Sequence, residues 1–274
     1  MKTFVIVTVS NRRAHLVNQH RALGNSETSP DGYVVVAMNE PDVNAWLPST
    51  APEAQIVNVH TSPGRLPLAT ARNLGAHHAI EQGAELLVFL DVDCVPSASL
   101  LSAYASAARL HPEAILSGAV GYLPEGTDVW GTGRAADAHF HDFRPRLLPG
   151  ETAPADPSLF WSLSFAVTTP VWQRVGGFCE EYVGYGAEDT DFARLASRAG
   201  TPFRWVGGAE AFHQYHSIES PPIRHLEDIL RNGRLFASRW GFWPMTGWLE
   251  AFQVRGLVTF DEATGDWLKV RECS

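Results

Sequence analysis

The chain has 274 residues, 45% of them hydrophobic, which is enough to bury a sizeable α/β core. Its 30 acidic and 21 basic side chains give a formal net charge of -9, with Lys and Arg scattered, which argues against a nucleic-acid groove or an anionic membrane face. Three cysteines, Cys94, Cys179 and Cys273, have no C-x-x-C spacing, so neither a disulfide framework nor a zinc knuckle is indicated, and a reducing, cytoplasmic setting fits.

In chain order, Phe4 to Val9 reads as a first strand, and its flanks are wrong and its length too short for a signal peptide or a membrane span. Tyr33 to Ala37, Gln55 to Val59 and Leu86 to Leu90 read as further strands, with a helix over Leu68 to Glu81 between the last two. Ser97 is the expected N-cap of a helix carrying Leu100, Leu101, Tyr104 and Ala108, which His111-Pro112 ends. Strands alternating with helices predict an α/β fold with a parallel sheet, whose ligands gather at the carboxyl ends of the strands. Asn11, Asn39 and Asp91 fall at such ends. From Gly121 to Pro157 the pattern loosens, and a loop-rich stretch over a sheet edge is expected. From Arg234 onward the chain is rich in aromatics, reading as a helix, a break at Pro244 and a further short element.

Two groups of acids stand out. Asp91-Val92-Asp93 closes the apolar run Leu86 to Leu90, and two carboxylates at a strand exit can share a divalent cation that neutralises a diphosphate. The second group follows Gly184-Tyr185-Gly186-Ala187. There Phe192, Leu195, Ala196 and Ala199 keep helical spacing up to Gly200, which places Glu188 and Asp189 at a helix start, where the macrodipole favours carboxylates. Downstream, Phe212-His213-Gln214-Tyr215-His216 offers two imidazoles.

Taken in order, Asn11-Arg12-Arg13, Ala71-Arg72-Asn73-Leu74-Gly75, Phe89 to Asp93, Gly176-Gly177-Phe178, Gly184 to Asp189 and Phe212-His213-Gln214 resemble an inverting glycosyltransferase of family 2, with the β-1,4-galactosyltransferase C-terminal region also similar. The resemblance covers roughly residues 3 to 220 and implies a GT-A fold, a Rossmann-like mixed central sheet flanked by helices. It also implies a nucleotide-diphosphate sugar, most simply a UDP-sugar, as donor and a hydroxyl of a glycan or small molecule as acceptor. On this pattern Asp93 is the principal metal ligand, with Asp91 beside it on metal or ribose and His213 completing the shell, His216 being the reserve. Manganese suits imidazole beside carboxylate, with magnesium as the substitute. Asp189 becomes the catalytic base and Glu188 holds sugar hydroxyls. Asn11, Arg12 and Asn39 sit near the nucleotide, although the acid usual after the second strand is replaced here by Asn39-Glu40. Tyr185 offers a ring face to a sugar, and Arg72 lies where a guanidinium reaches phosphate or ties a helix start to the sheet.

Competing readings are a sugar nucleotidyltransferase, whose glycine-rich, lysine-bearing loop is missing from Val9 to Arg13, and a catalytically silent sugar-nucleotide-binding protein. The expected organisation is one GT-A domain over residues 1–235 and an aromatic-rich extension over 236–274 packed on it. A homodimer is a further possibility for burying the aromatics. Part of the extension, with Trp243 as its marker, is expected to border the acceptor cleft.

Overall fold

The computed structural model describes residues 1–50, 52–62, 65–130, 134–217 and 219–270, so Cys273 lies outside the described residues. The first half runs β1 (Thr3–Val9), α1 (Arg13–Gly24), β2 (Gly32–Met38), β3 (Ala54–Val59), α2 (Leu68–Glu81), β4 (Leu86–Leu90), β5 (Cys94–Pro96), α3 (Leu100–Leu110) and β6 (Ile115–Tyr122). There follow α4 (Arg134–Asp137), β7 (His139–Phe140), β8 (Thr152–Pro154), β9 (Ser164–Thr168), α5 (Thr169–Val175), α6 (Glu188–Arg198) and β10 (Phe203–His213). The chain closes with α7 (Leu226–Trp240), α8 (Thr246–Val254) and the hairpin β11 (Val258–Asp261) and β12 (Asp266–Lys269).

The central sheet is mixed, with the path β3-β2-β1-β4-β9-β6-β10-β5. Its first four strands are parallel, β9 runs antiparallel between β4 and β6, and β10 returns parallel to β6. Every residue of β1, β2 and β4 is buried, as strands covered on both faces require. The pleat sorts their side chains. Val5, Val7, Val35, Val88 and Leu90 pack with α1 and α3 on one face, while Phe4, Ile6, Val34, Val36, Leu87 and Phe89 pack with α2, α5 and α6 on the other.

Three departures from the sequence reading have local causes. The N-cap position of α3 falls on Ser99, not Ser97, because the Ser97 amide continues the pairing with β10 by donating to Glu210 O; the Ser99 hydroxyl donates to Gly208 O at 2.8 Å and makes no side-chain cap. Within Gly121 to Pro157 two short strands form, β7 on β6 and β8 on β10, each extending the sheet edge by a few residues. The boundary at 235/236 falls inside α7, which begins at Leu226. Leu226, Ile229 and Leu230 of α7 join Leu249, Phe252, Val258 and Trp267 in one apolar cluster, so helix and hairpin form a single C-terminal unit. Among the described residues no helix is long and apolar enough to cross a membrane.

Candidate active site

The site gathers where β4 ends. Asp91, Val92 and Asp93 turn the chain from β4 into β5, and β5 pairs antiparallel with the end of β10 in a register that sets His213 opposite Cys94. The Gln214 amide donates to Asp93 O at 2.7 Å, which pins the chain after β10 against the turn and brings His216 over the same carboxylate. Asp93, His213 and His216 therefore each offer one ligand atom, all within 4.8 Å of one another. His216 Nε2 lies 3.3 Å from Asp93 Oδ2, with Arg12 Nε 3.4 Å and His15 Nε2 3.9 Å from Oδ1. The Oδ1 atom is buried and has no hydrogen-bond partner, an uncommon condition for a carboxylate oxygen.

The electrostatics ready Asp93 and His213 for a cation, while His216 is biased toward its protonated form, whose proton a cation must displace. Burial acts to raise the Asp93 carboxyl, but the hydrogen bond from His216 and the nearby charges of His15, His213 and His216 outweigh it and hold it below the usual range. Burial lowers His213, which keeps the imidazole neutral, as a metal ligand must be. The bond to Asp93 raises His216. One carboxylate oxygen with two imidazole nitrogens is a donor set that manganese accepts more readily than magnesium, which prefers oxygen alone.

Asp91 stands apart from this group. Its Oδ1 receives Arg72 Nη2 at 3.1 Å, and Arg72 Nη1 donates to Glu188 Oε1, also at 3.1 Å. Arg72 is buried, with its guanidinium 5.2 Å from the Phe178 ring. It is therefore a strut joining the turn after β4 to the start of α6. Such a buried charge is stable only while both carboxylates remain in place. The two acidic motifs, nearly a hundred residues apart in the chain, are held together by this one side chain.

Glu188, Asp189 and Asp191 occupy the first turn of α6. The loop before it needs glycine at Gly186, whose φ of 92° is left-handed, and Ala187 follows at φ 76°, a strained position for a residue with a side chain. Asn232 of α7 holds this loop: its Nδ2 donates to Val183 O (3.2 Å), Tyr185 O (3.2 Å) and Gly186 O (3.0 Å). Asp189 Oδ1 accepts the Thr190 amide at 2.8 Å. Burial, reinforced by the neighbouring Glu188 and only partly opposed by Arg72, pushes the Asp189 carboxyl up to about 7. Asp191 is spent on structure, since it is buried and accepts from Arg239 Nε (2.8 Å), Trp240 Nε1 (2.7 Å) and Tyr182 OH (3.1 Å).

The remaining expected residues lie as follows. Asn11 and Asn39 stand at the exits of β1 and β2, both with left-handed backbone (φ 54° and 57°). Asn39 is exposed and spends its side chain on the Thr61 backbone (2.8 and 2.9 Å), so it ties the β2 and β3 exits together. Glu40 supplies the acid next to it and accepts the Asn11 amide. Tyr185 is exposed and stacks on His225 at 4.4 Å, with Trp248 of α8 at 5.6 Å. Trp248 is thus the aromatic of α8 that lies beside Tyr185 of the acid-bearing loop. Trp243 instead packs against Gly233 and donates to Gly265 O at 2.9 Å. Cys94 is buried, as strand alternation implies.

Three residues of this region were not evident in the sequence: His15 beside Asp93, Asn232 behind the glycine loop, and Arg144. Arg144 lies between the Trp161 and Trp205 rings at 4.7 and 4.9 Å. His15 and Asn232 sit on helices with no local motif, and only the pairing of distant elements reveals them.

Residues 53–202 match the family model described as glycosyltransferase like family 2, and the chain belongs to that family. It is 28% identical over 241 residues to validoxylamine A glucosyltransferase of Streptomyces hygroscopicus subsp. limoneus, covering 77% of this chain and 51% of that protein. The chain thus spans about half the length of that curated relative. Its fold is shared by TarS of S. aureus, solved in complex with UDP (TM-score 0.56, 16% identity, 86% of this chain and 66% of that one). It is likewise shared by the mannosyltransferase PcManGT of Pyrobaculum calidifontis, solved with GDP-Man and Mn2+ (TM-score 0.56, 20% identity, 89% and 66%). These likenesses and the mixed sheet define a GT-A glycosyltransferase fold.

Proposed function

We propose that the chain catalyses metal-dependent, inverting transfer of a sugar from a nucleotide-diphosphate sugar, a UDP-sugar in the first instance, to an acceptor hydroxyl. The observation that carries this reading is the Arg72 bridge between Asp91 and Glu188, which ties the turn bearing Asp93, the partner of His213 and His216 in the ligand set, to the helix start bearing the elevated carboxyl of Asp189. Solved structures of the same fold hold UDP in one case and GDP-Man with Mn2+ in another, which agrees with a nucleotide donor and a divalent cation.

A manganese ion held by Asp93, His213 and His216 would supply positive charge for the departing diphosphate. The rest falls to the chain. Asp189, deprotonated above about pH 7, takes the proton of the acceptor hydroxyl while that oxygen attacks the anomeric carbon. The nucleoside diphosphate leaves from the opposite face, so the configuration inverts. Glu188, fixed by Arg72, presents its free oxygen to a sugar hydroxyl, and the exposed Tyr185 ring lies in the same loop. Arg12, at 3.4 Å from Asp93, stands ready to move from that carboxylate to a phosphate.

A thermal-shift screen of nucleotide sugars with and without Mn2+ tests this reading. A donor at a hundred times its dissociation constant stabilises the fold by about 2.7 kcal/mol, which raises Tm by several degrees. A UDP-sugar should do so only with Mn2+. A GDP-sugar that does so alone would reassign the base, and donor cleavage by the wild type but not Asp189→Asn separates an enzyme from a silent binder.

A further inference from the structure

Arg144 follows β7 and is only 6% exposed, yet its Nε and Nη2 atoms have no hydrogen-bond partner and it forms no ion pair with any described carboxylate. A guanidinium taken out of water is costly unless an anion or a set of acceptors receives it. The faces of Trp161 and Trp205 return part of that cost and satisfy none of the N–H groups. Of the other two guanidiniums of the site, Arg72 is committed to Asp91 and Glu188, while Arg12 already faces the Asp93 carboxylate at 3.4 Å.

The surroundings place Arg144 at the reacting end of the cleft. Trp161 stands two residues before Leu163, whose carbonyl receives the Asp91 amide at 2.9 Å. The Tyr122 ring stacks on His213 at 5.0 Å and meets His141 edge to face at 5.2 Å, and His141 in turn lies 5.2 Å from Trp161, so the ring cluster around Arg144 runs on to a ligand imidazole. On the outer side of Trp161 lie His141, with ring centroids 5.2 Å apart, and Phe143, which is 50% exposed and 5.7 Å away. A cation fixed between two indoles, with its donor fork unfilled, is preorganised for a bidentate oxyanion.

We infer that Arg144 is a substrate-binding residue for an oxyanion, a phosphate or carboxylate carried by a ligand in the cleft. The inference rests on the glycosyltransferase reading for its ligand classes, and its two sources are the donor's diphosphate and an acidic group on the acceptor sugar. Isothermal titration separates them, with UDP plus Mn2+, glucose 6-phosphate, glucuronate and neutral glucose as probes against wild type, Arg144→Met and Arg144→Lys. Arg144→Met keeps an unbranched side chain of similar length and removes the charge and the planar fork, so it should weaken an oxyanion-bearing probe at least tenfold and leave glucose unchanged. A loss confined to UDP assigns the diphosphate, and a loss confined to glucose 6-phosphate or glucuronate assigns an acidic acceptor. Should Arg144→Met fail to fold, Arg144→Lys retains charge but loses the fork, and a several-fold weakening of the same probe is expected. Equal binding of every probe to wild type and variant would make Arg144 a packing residue and overturn the inference. Absence of any Mn2+-dependent UDP binding by the wild type would instead defeat the glycosyltransferase reading, while Arg144-dependent binding of glucose 6-phosphate would still uphold this one.

Discussion

Asn232→Ala probes how the C-terminal helix supports the chemistry. Asn232 is 1% exposed and its single amide serves three carbonyls of the loop ahead of α6, at 3.0 to 3.2 Å. Two N–H groups cannot satisfy three acceptors fully, so the loss is nearer two bonds than three. Val183 O keeps a donor in Arg231 Nη2, so the Tyr185 and Gly186 carbonyls lose theirs, and for part-buried groups at about 1–2 kcal/mol each the cost is roughly 2–4 kcal/mol overall. For a chain of this size that lowers Tm by roughly 4–12 °C. The loop carries Tyr185 and leads into Glu188 and Asp189, with Ala187 in a strained conformation that only its surroundings maintain. The loss should therefore appear in turnover as well, by about tenfold or more, since a small displacement of a catalytic group is expensive. Calorimetry and a nucleoside-diphosphate release assay read the two effects. An Asn232→Ala protein with unchanged Tm and turnover would refute the claim that α7 positions the glycine loop.

Asp189→Asn should reduce turnover about a hundredfold or more while leaving Mn2+-dependent donor binding intact, as steady-state and binding assays would record. With the folded carboxyl at about 7 and its ordinary value at 3.8, the folded state holds an extra proton between those values, so Asp189 costs stability as pH rises through that window. Asp189→Asn should then melt higher than wild type at pH 8 and equal to it at pH 4, and wild-type turnover should climb with pH toward a plateau above about 7. His213→Ala and His216→Ala should each raise the Mn2+ concentration needed for half-maximal activity, about tenfold or more, since both offer a ligand atom. Arg72→Met leaves Asp91 and Glu188 facing each other without a cation and should lower stability by about 3–5 kcal/mol, seen as a shift in denaturant midpoint.

Of the first half, β1, β2 and β4 were legible because they are buried on both faces and so read as unbroken apolar runs, and β3, α2 and α3 were named with them, whereas α1, β5 and β6 were not. The two acidic motifs were legible for a similar reason, each standing at the end of a regular element. The division of labour between Asp91 and Asp93 was not, since two carboxylates one residue apart look alike until Arg72 claims one and the β5 and β10 pairing turns the other toward two imidazoles. The sequence likewise left His213 and His216 as alternatives, and the chain reversal after β10 brings both to Asp93. Trp243 and Trp248 were indistinguishable as aromatics of a C-terminal segment; only the packing of Trp243 on Gly233 and of Trp248 near Tyr185 separates them.

The most direct test of the account is release of UDP from a UDP-sugar by the wild type in Mn2+, compared with excess chelator and with Asp93→Asn. The account predicts release in Mn2+ alone, restored after chelation by adding the ion back, and absent from a correctly folded Asp93→Asn protein. Undiminished release in excess chelator, or by Asp93→Asn, would contradict it.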